Sequence, residues 1–310
     1  PLSSVYAGHQ FGYFVPQLGD GRSCLIGEAN GYELSLKGAG TTPYSRGADG
    51  RAVLRSSIRE YLCSIAMEGL NIPTTKALAI VASDTDVYRE HVESGAIVTR
   101  VAKSHIRFGH FELFASRGQT AEVKKLADFV IDHYYSQLKG KDSYLQLFKT
   151  VILSTAVMIA RWQAQGFAHG VMNSDNMSIL GLTIDYGPFS FMETYNPSFI
   201  CNHSDHQGRY SFERQPSVAL WNLDRLANAI RSLIDETHLK DALAEYEGFL
   251  VKEYSALMRQ KFGLVEVNED DSKLVSDYLQ LLYVHRKDYP LSMRLLSKED
   301  NNMGSDFDSW

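Results

Sequence analysis

The chain has 310 residues, of which 44% are hydrophobic and 22% are charged, and its formal net charge is −6. These values are typical of a globular protein that is large enough for one large domain or two lobes. Because the net charge is negative, the chain as a whole does not attract anionic partners, so we expect neither nucleic acid nor a membrane as a partner. The most apolar run, VILSTAVMIA at 151–160, is too short to span a bilayer.

The first hundred residues predict short strands separated by glycine-rich turns. Residues 13–28 read as strand, turn and strand, with the turn at Leu18-Gly19-Asp20-Gly21, and residues 31–38 and 96–102 read as further strands. A loop rich in Gly, Thr and Ser follows at 38–50. Asp49 is then the expected N-cap of a helix over 51–70, whose apolar positions 54, 58, 61, 62 and 65 share one face.

Helical patterns dominate after about residue 118. Helices are predicted at 121–138, 143–165, 216–235, 237–262 and 270–286. The second is apolar nearly all round, which predicts a central buried helix that ends at Gly166. We therefore predict an α+β, two-lobed protein-kinase-like fold, with a small β-rich N-lobe at 1–118 and a larger helical C-lobe at 119–310. The first residue is Pro1 rather than Met, so the N-lobe is expected to be truncated.

Residues 167–189, FAHGVMNSDNMSILGLTIDYGPF, contain most of a phosphoryl-transfer motif. Kinase-like enzymes place an Asp directly after His-Gly, then an Asn and a later Asp that hold Mg²⁺. Here Val171 follows His169-Gly170, whereas Asn176 and Asp185 stand at the metal positions. Their oxygens suit Mg²⁺ or Mn²⁺. Asp175 is the nearest alternative base, and the competing interpretation is an Asx-rich turn before a hairpin.

The upstream partners of such a site have candidates in the predicted N-lobe. Lys37 ends a predicted strand, and Glu60 follows 23 residues later in the predicted helix, where the two side chains can form the phosphate-binding ion pair. Two solvated surface charges are the alternative. The glycine-rich turn, with Gly19, Gly21 and Arg22, is either a phosphate cradle or an ordinary hairpin turn. Arg100 and Arg107 are candidate polyphosphate ligands or structural ion-pair partners.

A polar, histidine-rich segment lies at 199–216. Cys201, His203, Asp205 and His206 fit no tetrahedral zinc spacing, and the chain has only three cysteines, which are widely separated. We expect an ordered loop beside the active cleft, where an acceptor peptide can dock.

Several long strings in this sequence resemble the selenoprotein O family. They are YAGHQFG at 6–12, VPQLGDGR at 15–22, the segment 33–62, the segment 169–189, CNHSDHQGRYSFERQP at 201–216 and WNLDRLA at 221–227. The resemblance implies a protein-kinase-like fold and protein adenylylation, in which AMP moves from ATP to a Ser, Thr or Tyr hydroxyl of a protein. It also implies that ATP binds inverted relative to a kinase, so that the α-phosphate faces the acceptor.

The resemblance assigns roles to individual positions. It implies that nucleotide is bound by Gly19, Gly21, Arg22, Lys37, Asp49, Gly50, Arg100, Arg107 and Asp185. Glu60 would support Lys37, Asp175 would accept the proton, and Asn176 and Asp185 would hold Mg²⁺ or Mn²⁺. Ser174 replaces a Thr that is common in the family, and the tail NNMGSDFDSW lacks the Cys-x-x-selenocysteine or Cys-x-x-Cys element of some members.

Other functions stay open at this point. They are γ-phosphoryl transfer as in a conventional kinase, Mn²⁺-dependent uridylyl transfer, and an inactive ATP-binding pseudokinase scaffold. Suitable ligand residues stand at both metal positions, which argues against the scaffold. The missing Asp after His169-Gly170 argues against the kinase. We expect a monomer that acts on protein hydroxyls, in the cytoplasm if the source is bacterial and in mitochondria if it is eukaryotic.

Overall fold

The computed structural model describes residues 1–296. The last part of the predicted C-lobe, 297–310, with the tail NNMGSDFDSW, lies outside the described residues. The N-terminal strands are Val5–Gln10 (β1), Tyr13–Gly19 (β2), Ser23–Ala29 (β3), Tyr32–Lys37 (β4), Ala52–Val53 (β5), Lys76–Tyr88 (β6) and Val92–Ala102 (β7), and helix α1, Leu54–Gly69, lies between β5 and β6.

The N-terminal strands form two antiparallel sheets. β1 pairs with β2, while the larger sheet has the order β3-β4-β7-β5, with β6 also paired to β7. The predicted strands at 13–28, 31–38 and 96–102 are therefore confirmed. The turn at Gly19–Gly21 is not a hairpin turn, however, because β2 and β3 belong to different sheets.

The C-terminal part is mainly helical. Its helices are Phe108–Ser116 (α2), Thr120–Tyr134 (α3), Ser143–Gln165 (α4), Gln215–Ile230 (α5), Glu236–Lys261 (α6), Asp271–Val284 (α7) and Tyr289–Leu295 (α8), and the short strands Phe167–Ala168 (β8) and Ser190–Phe191 (β9) pair with each other. The chain is thus a mixed α/β protein with a small β-rich N-terminal portion and a helical C-terminal part.

Helix α4 is the core helix, as predicted from its apolar sequence. Its side chains Phe148, Ile152 and Ile159 are fully buried in the main hydrophobic cluster. It ends at Gly166, whose φ of +67° is a conformation that glycine adopts at little cost. By length and composition, α4 is the one helix within residues 1–296 that could cross a membrane, a test that core helices also pass.

Two details of the N-terminal portion differ from the sequence prediction. Asp49 is not the N-cap of α1, because β5 intervenes and the helix begins at Leu54 after Val53. The apolar face of α1 is also not its buried face: Ile58, Leu62 and Ile65 are 43%, 60% and 49% exposed. The face that packs inward carries Ser57, Glu60, Cys63, Ser64 and Met67.

Several elements were not predicted, and the two longest of them are α2 and β6. The structure adds helix α2 inside the range that was expected to be β-rich, and it adds the long strand β6. The N-cap of α2 is Arg107, whose main-chain N–H donates to Nδ1 of His110. Arg and His are not among the preferred N-cap residues, which are Ser, Thr, Asp, Asn and Gly. The sequence therefore does not indicate the start of this helix.

Candidate active site

A cavity of about 470 Å³ lies between the N-terminal strands and the segment 171–187. It is lined by most of the residues that the sequence selects: Gly19, Gly21, Arg22, Lys37, Asp49, Gly50, Arg107, Asp175, Asn176 and Asp185. Arg100 and Glu60 are not among the lining residues. Both are buried. Arg100 forms an ion pair with Asp185, and Glu60 forms one with Lys37, so each contacts a residue that lines the cavity.

Sheet register brings two cations to one carboxylate. Arg100 of β7 lies opposite Ser35 of β4, so Arg100 and Lys37 project from the same face of the sheet. Both form ion pairs with Glu60 from the inner face of α1. Burial would raise the pKa of Glu60, but Arg100 and Lys37 hold it below its usual value. Burial, with Arg100 nearby, lowers the pKa of Lys37 to about 8.

Asp185 is bound through both carboxylate oxygens. Its Oδ1 lies 3.2 Å from Nη1 of Arg100, and its Oδ2 pairs with Arg107. Burial opposes ionisation, yet Arg107, Arg100 and Lys37 together keep the pKa of Asp185 well below its usual value. The residue adopts a φ of +58°, an unusual conformation that tends to occur at functional sites. Asp185 is therefore a fixed anion that faces the cavity.

Three oxygens converge on one nitrogen of Arg107. Besides the Asp185 carboxylate, Nη1 donates to the main-chain oxygen of Asp175 at 3.0 Å and to Oδ1 of Asn176 at 3.4 Å. The amide of Asn176 is oriented by its Nδ2, which donates to the carbonyl of Val171 at 3.1 Å. Amide and carboxylate oxygens that already gather around one positive charge are the donors that Mg²⁺ and Mn²⁺ prefer, so this set fits such an ion.

Asp175 has a different environment from Asp185. The residue is 5% exposed, and its Oδ2 accepts a hydrogen bond from Nε2 of Gln10 at 3.3 Å. Burial raises its pKa to about 6, although Arg107 opposes the shift. Its carboxylate forms no ion pair within the described part of the chain. A carboxyl group with a raised pKa beside a cavity is suited to accept a proton.

His169 is buried and structural. Its Nε2 lies 2.8 Å from the carbonyl of Ile184, and its Nδ1 accepts the N–H of Val171 at 3.3 Å. The imidazole stacks on Trp162, with ring centroids 5.3 Å apart, and burial lowers its pKa. The ring thus ties the 169–171 segment to the chain just before Asp185.

Glycines allow the phosphate-side loops to approach closely. A Cβ on Gly19 would lie 2.5 Å from Cγ of Tyr44, and one on Gly21 would lie 2.9 Å from the carbonyl of Tyr44. Gly50 combines a φ of +65° with a Cβ position 2.0 Å from the carbonyl of Gly40. Side chains at these positions would force the loops apart.

Asp49 lines the cavity but is already paired. Its carboxylate binds Arg89 of the β6–β7 turn at 2.7 Å and accepts the N–H of Arg51 at 2.9 Å. The hydrogen bond from Arg89 lowers the pKa of Asp49 to about 2. Asp49 therefore connects the glycine-rich loop to the β6–β7 turn. It has this role instead of the predicted role of helix cap.

The segment 199–216 lies against the site. Asn202 donates to the carbonyl of Gly170 at 3.0 Å, and the hydroxyl of Tyr210 donates to Oδ1 of Asn173 at 2.6 Å. Asp205 accepts the main-chain N–H groups of Arg209 and Tyr210. Within residues 1–296, no group of three or more His, Cys, Asp or Glu side chains is placed to hold a metal ion.

Sequence reasoning missed several lining residues, among them Tyr6, Gln10, Asp20, Tyr44, Ser45 and Asn173. Tyr6 and Gln10 belong to β1, which pairs locally with β2 and reaches Asp175 across 165 positions of sequence. Even spacing could have assigned Tyr6, Gly8 and Gln10 to one strand face. It could not have indicated what that face contacts.

Comparison with known proteins identifies the family of this chain. The family model described as protein adenylyltransferase SelO matches residues 1–309. The chain therefore belongs to the SelO family.

Among its relatives, a protein nucleotidyltransferase YdiU of Klebsiella pneumoniae subsp. pneumoniae is 55% identical over 306 residues, which are 97% of this chain and 64% of the relative. A protein nucleotidyltransferase YdiU of Klebsiella pneumoniae strain 342 gives the same identity and coverage. The chain thus spans 64% of the length of these curated relatives.

Proposed function

We propose that this chain carries the catalytic site of a protein adenylyltransferase on a two-lobed protein-kinase-like fold, with the lobes meeting near residue 118. The description of the family supports the reaction class. The buried Lys37–Glu60 pair and the shared cavity of Asn176 and Asp185 support the kinase-like arrangement.

In this proposal the nucleotide is bound by Gly19, Gly21, Arg22, Lys37, Asp49, Gly50, Arg100, Arg107 and Asp185. Asn176 and Asp185 would hold Mg²⁺ or Mn²⁺, which when bound neutralises phosphate charge. Glu60 fixes Lys37 on the cavity side of the sheet. Arg100 and Arg107 are already buried as cations, so they can bind a polyphosphate without further loss of hydration.

Asp175 is the proposed base. It takes the proton from a Ser, Thr or Tyr hydroxyl while the hydroxyl oxygen forms a bond to the α-phosphorus of ATP. The bond from that phosphorus to the oxygen that bridges the α- and β-phosphates breaks, and pyrophosphate leaves with the electron pair. The products are an AMP-modified protein and protonated Asp175, which returns its proton to solvent.

The observation that carries the proposal is the contrast between position 171 and position 175. Val171 stands where a kinase has its catalytic Asp, whereas Asp175, with its raised pKa, lines the cavity next to both proposed metal ligands. A base that has moved along the loop suits an inverted nucleotide, in which the α-phosphate is the reacting group. It does not suit the conventional kinase reaction.

A second donor nucleotide is worth testing, because the relatives are named nucleotidyltransferases without a stated base. Uridylyl transfer with Mn²⁺ would use the same residues. We propose ATP as the donor and proteins as acceptors. We also propose a cytoplasmic location, which is supported by the bacterial source of both relatives.

The test is mass spectrometry of the protein after incubation with ATP or UTP and with Mg²⁺ or Mn²⁺. The proposal predicts an adenylyl adduct on Ser, Thr or Tyr with ATP, absent from Asp175→Asn. A phosphoryl adduct with ATP would instead support a kinase, and an adduct found only with UTP would support uridylyl transfer.

A further inference from the structure

Strand β1 forms a wall of the candidate active site. Tyr6 and Gln10 line the cavity, and Gly8 between them lies directly against Asp175. His9 projects to the other side, where its Nδ1 lies 2.7 Å from Oε2 of the buried Glu112 in α2. β1 is therefore held from behind by α2, while its other face contacts the proposed base.

The two carboxylate oxygens of Asp175 are not equivalent. Oδ1 is buried without a hydrogen-bond partner among the described residues. It faces Gly8, where a Cβ would lie 2.7 Å from both Cβ and Oδ1 of Asp175. Oδ2 accepts from Nε2 of Gln10 at 3.3 Å, and both of these residues line the cavity. Because Oδ1 is buried against Gly8, the proposal places the acceptor hydroxyl at Oδ2, the oxygen that Gln10 contacts.

The main chain of β1 fixes the distance between Gln10 and Asp175. The N–H of His9 donates to Oγ of Ser174 at 2.7 Å, and the N–H of Phe11 donates to Oδ1 of Asn173 at 3.3 Å. These bonds lie on either side of Gln10 in sequence. They attach the strand to the loop that contains Asp175. The main chain of Gln10 is therefore held at a fixed position relative to Asp175.

We infer that Gln10 is a positioning residue for Asp175: it holds Oδ2 towards the cavity, where the acceptor hydroxyl must lie. This inference rests on the proposed function. An ionised carboxylate only accepts hydrogen bonds, so the amide of Gln10 must present its NH₂ group to Asp175. The amide is neutral, and it therefore orients the carboxylate without adding a second positive charge beside Arg107.

The test compares Gln10→Leu with the matched control Gln17→Leu. Gln17 lies on β2 and is exposed, and its side-chain oxygen accepts a hydrogen bond from Arg117 at 3.3 Å. Adenylyl transfer, the KM for ATP, ATP affinity and Tm are measured for both variants and the wild type. Gln10→Met, which keeps the chain length of glutamine, repeats the test with a smaller packing change.

We expect Gln10→Leu and Gln10→Met to lower kcat about 10- to 100-fold, the usual effect of a misplaced reacting group. ATP affinity and Tm should stay at wild-type values, and Gln17→Leu should match the wild type throughout. An unchanged kcat in both Gln10 variants would overturn the inference and leave the proposed function intact. A loss that follows Tm or ATP affinity would also overturn it, because Gln10 would then be only structural. If the wild type itself transfers no adenylyl group, the proposed function fails, and the inference fails with it.

Discussion

Asp175 and Asp185 line the same cavity, but their pKa values are shifted in opposite directions. Burial raises the pKa of both carboxyl groups, but Arg107, Arg100 and Lys37 outweigh it at Asp185. Arg107 binds the carboxylate of Asp185 but only the main-chain oxygen of Asp175. Environments that separate two carboxyl pKa values in one site commonly assign different roles to the two groups. We therefore expect Asp185 to act as a permanent anion and Asp175 as a proton acceptor.

Asp175→Asn should remove transfer and keep nucleotide binding. The substitution preserves the shape of the side chain, and a general base contributes about 10²- to 10⁴-fold to a rate. We expect kcat for adenylyl transfer to fall within that range while the affinity for ATP with Mg²⁺ is unchanged. Full activity in this variant would exclude Asp175 as the base.

Asp185→Asn should abolish metal-dependent transfer. The variant loses the anion that faces Arg100 and Arg107 and, in our proposal, a metal ligand. Titration with Mg²⁺ or Mn²⁺ should restore no activity, whereas the exposed control Asp84→Asn should follow the wild-type curve. A normal metal response in Asp185→Asn would contradict the metal assignment.

Glu60→Gln should destabilise the fold. Lys37 and Arg100 would lose their shared buried counter-ion, and removing one partner of a buried ion pair costs on the order of 3 kcal/mol. The free energy of unfolding in urea measures this loss. Glu68→Gln is the control, because its ion pair with Lys76 is half exposed on both sides and should matter far less. An equal loss of unfolding free energy in Glu60→Gln and Glu68→Gln would contradict the stabilising role of the buried ion pairs of Glu60.

His110→Gln should reduce the loss of stability in acid. Burial, with Arg107 nearby, lowers the pKa of His110 from 6.5 to about 4. Between those values the unfolded chain binds a proton that the folded protein does not, so stability falls as the pH falls, by about 3 kcal/mol at pH 4.

Urea unfolding at pH 7 and pH 5 tests this expectation. Glutamine keeps an acceptor for the N–H of Arg107, which His110 accepts at 2.9 Å. The wild type and the exposed control His206→Gln should therefore lose more stability between the two pH values than His110→Gln does. An identical pH dependence in all three proteins would show that His110 does not contribute.

Val171→Asp should not create a kinase. The substitution restores the usual His-Gly-Asp sequence at 169–171, but in our proposal the γ-phosphate points away from that position. We expect no gain of γ-phosphoryl transfer to protein. A gain would count against the inverted nucleotide.

The sequence predicted the elements whose local signals agree. Helix α4 runs from Ser143 to Gln165 as expected, because its apolar pattern predicts a helix over the same range that the glycine after it ends. The spacing of Lys37, Glu60, Asn176 and Asp185 likewise selected residues that meet around one cavity or its buried wall. Motif spacing is informative here because the residues share one chemical task.

The rest depended on contacts that are distant in sequence. Asp49 looked like a helix cap, but β5 pairs with β7 and moves the start of α1 to Leu54. The apolar stripe of α1 suggested a core face, yet the helix turns Glu60 inward to meet Lys37 and Arg100. Gln10 has no local signal, since its side chain bonds to Asp175, which is 165 residues away.

The most direct measurement is label transfer to protein from ATP labelled at the α-phosphorus and, in parallel, from ATP labelled at the γ-phosphorus, with Mg²⁺ or Mn²⁺. The account predicts incorporation from the α label alone, and its loss in Asp175→Asn. Incorporation from the γ label alone would contradict the account and identify a kinase. No incorporation from either label while ATP still binds would contradict it as well, and would identify a scaffold.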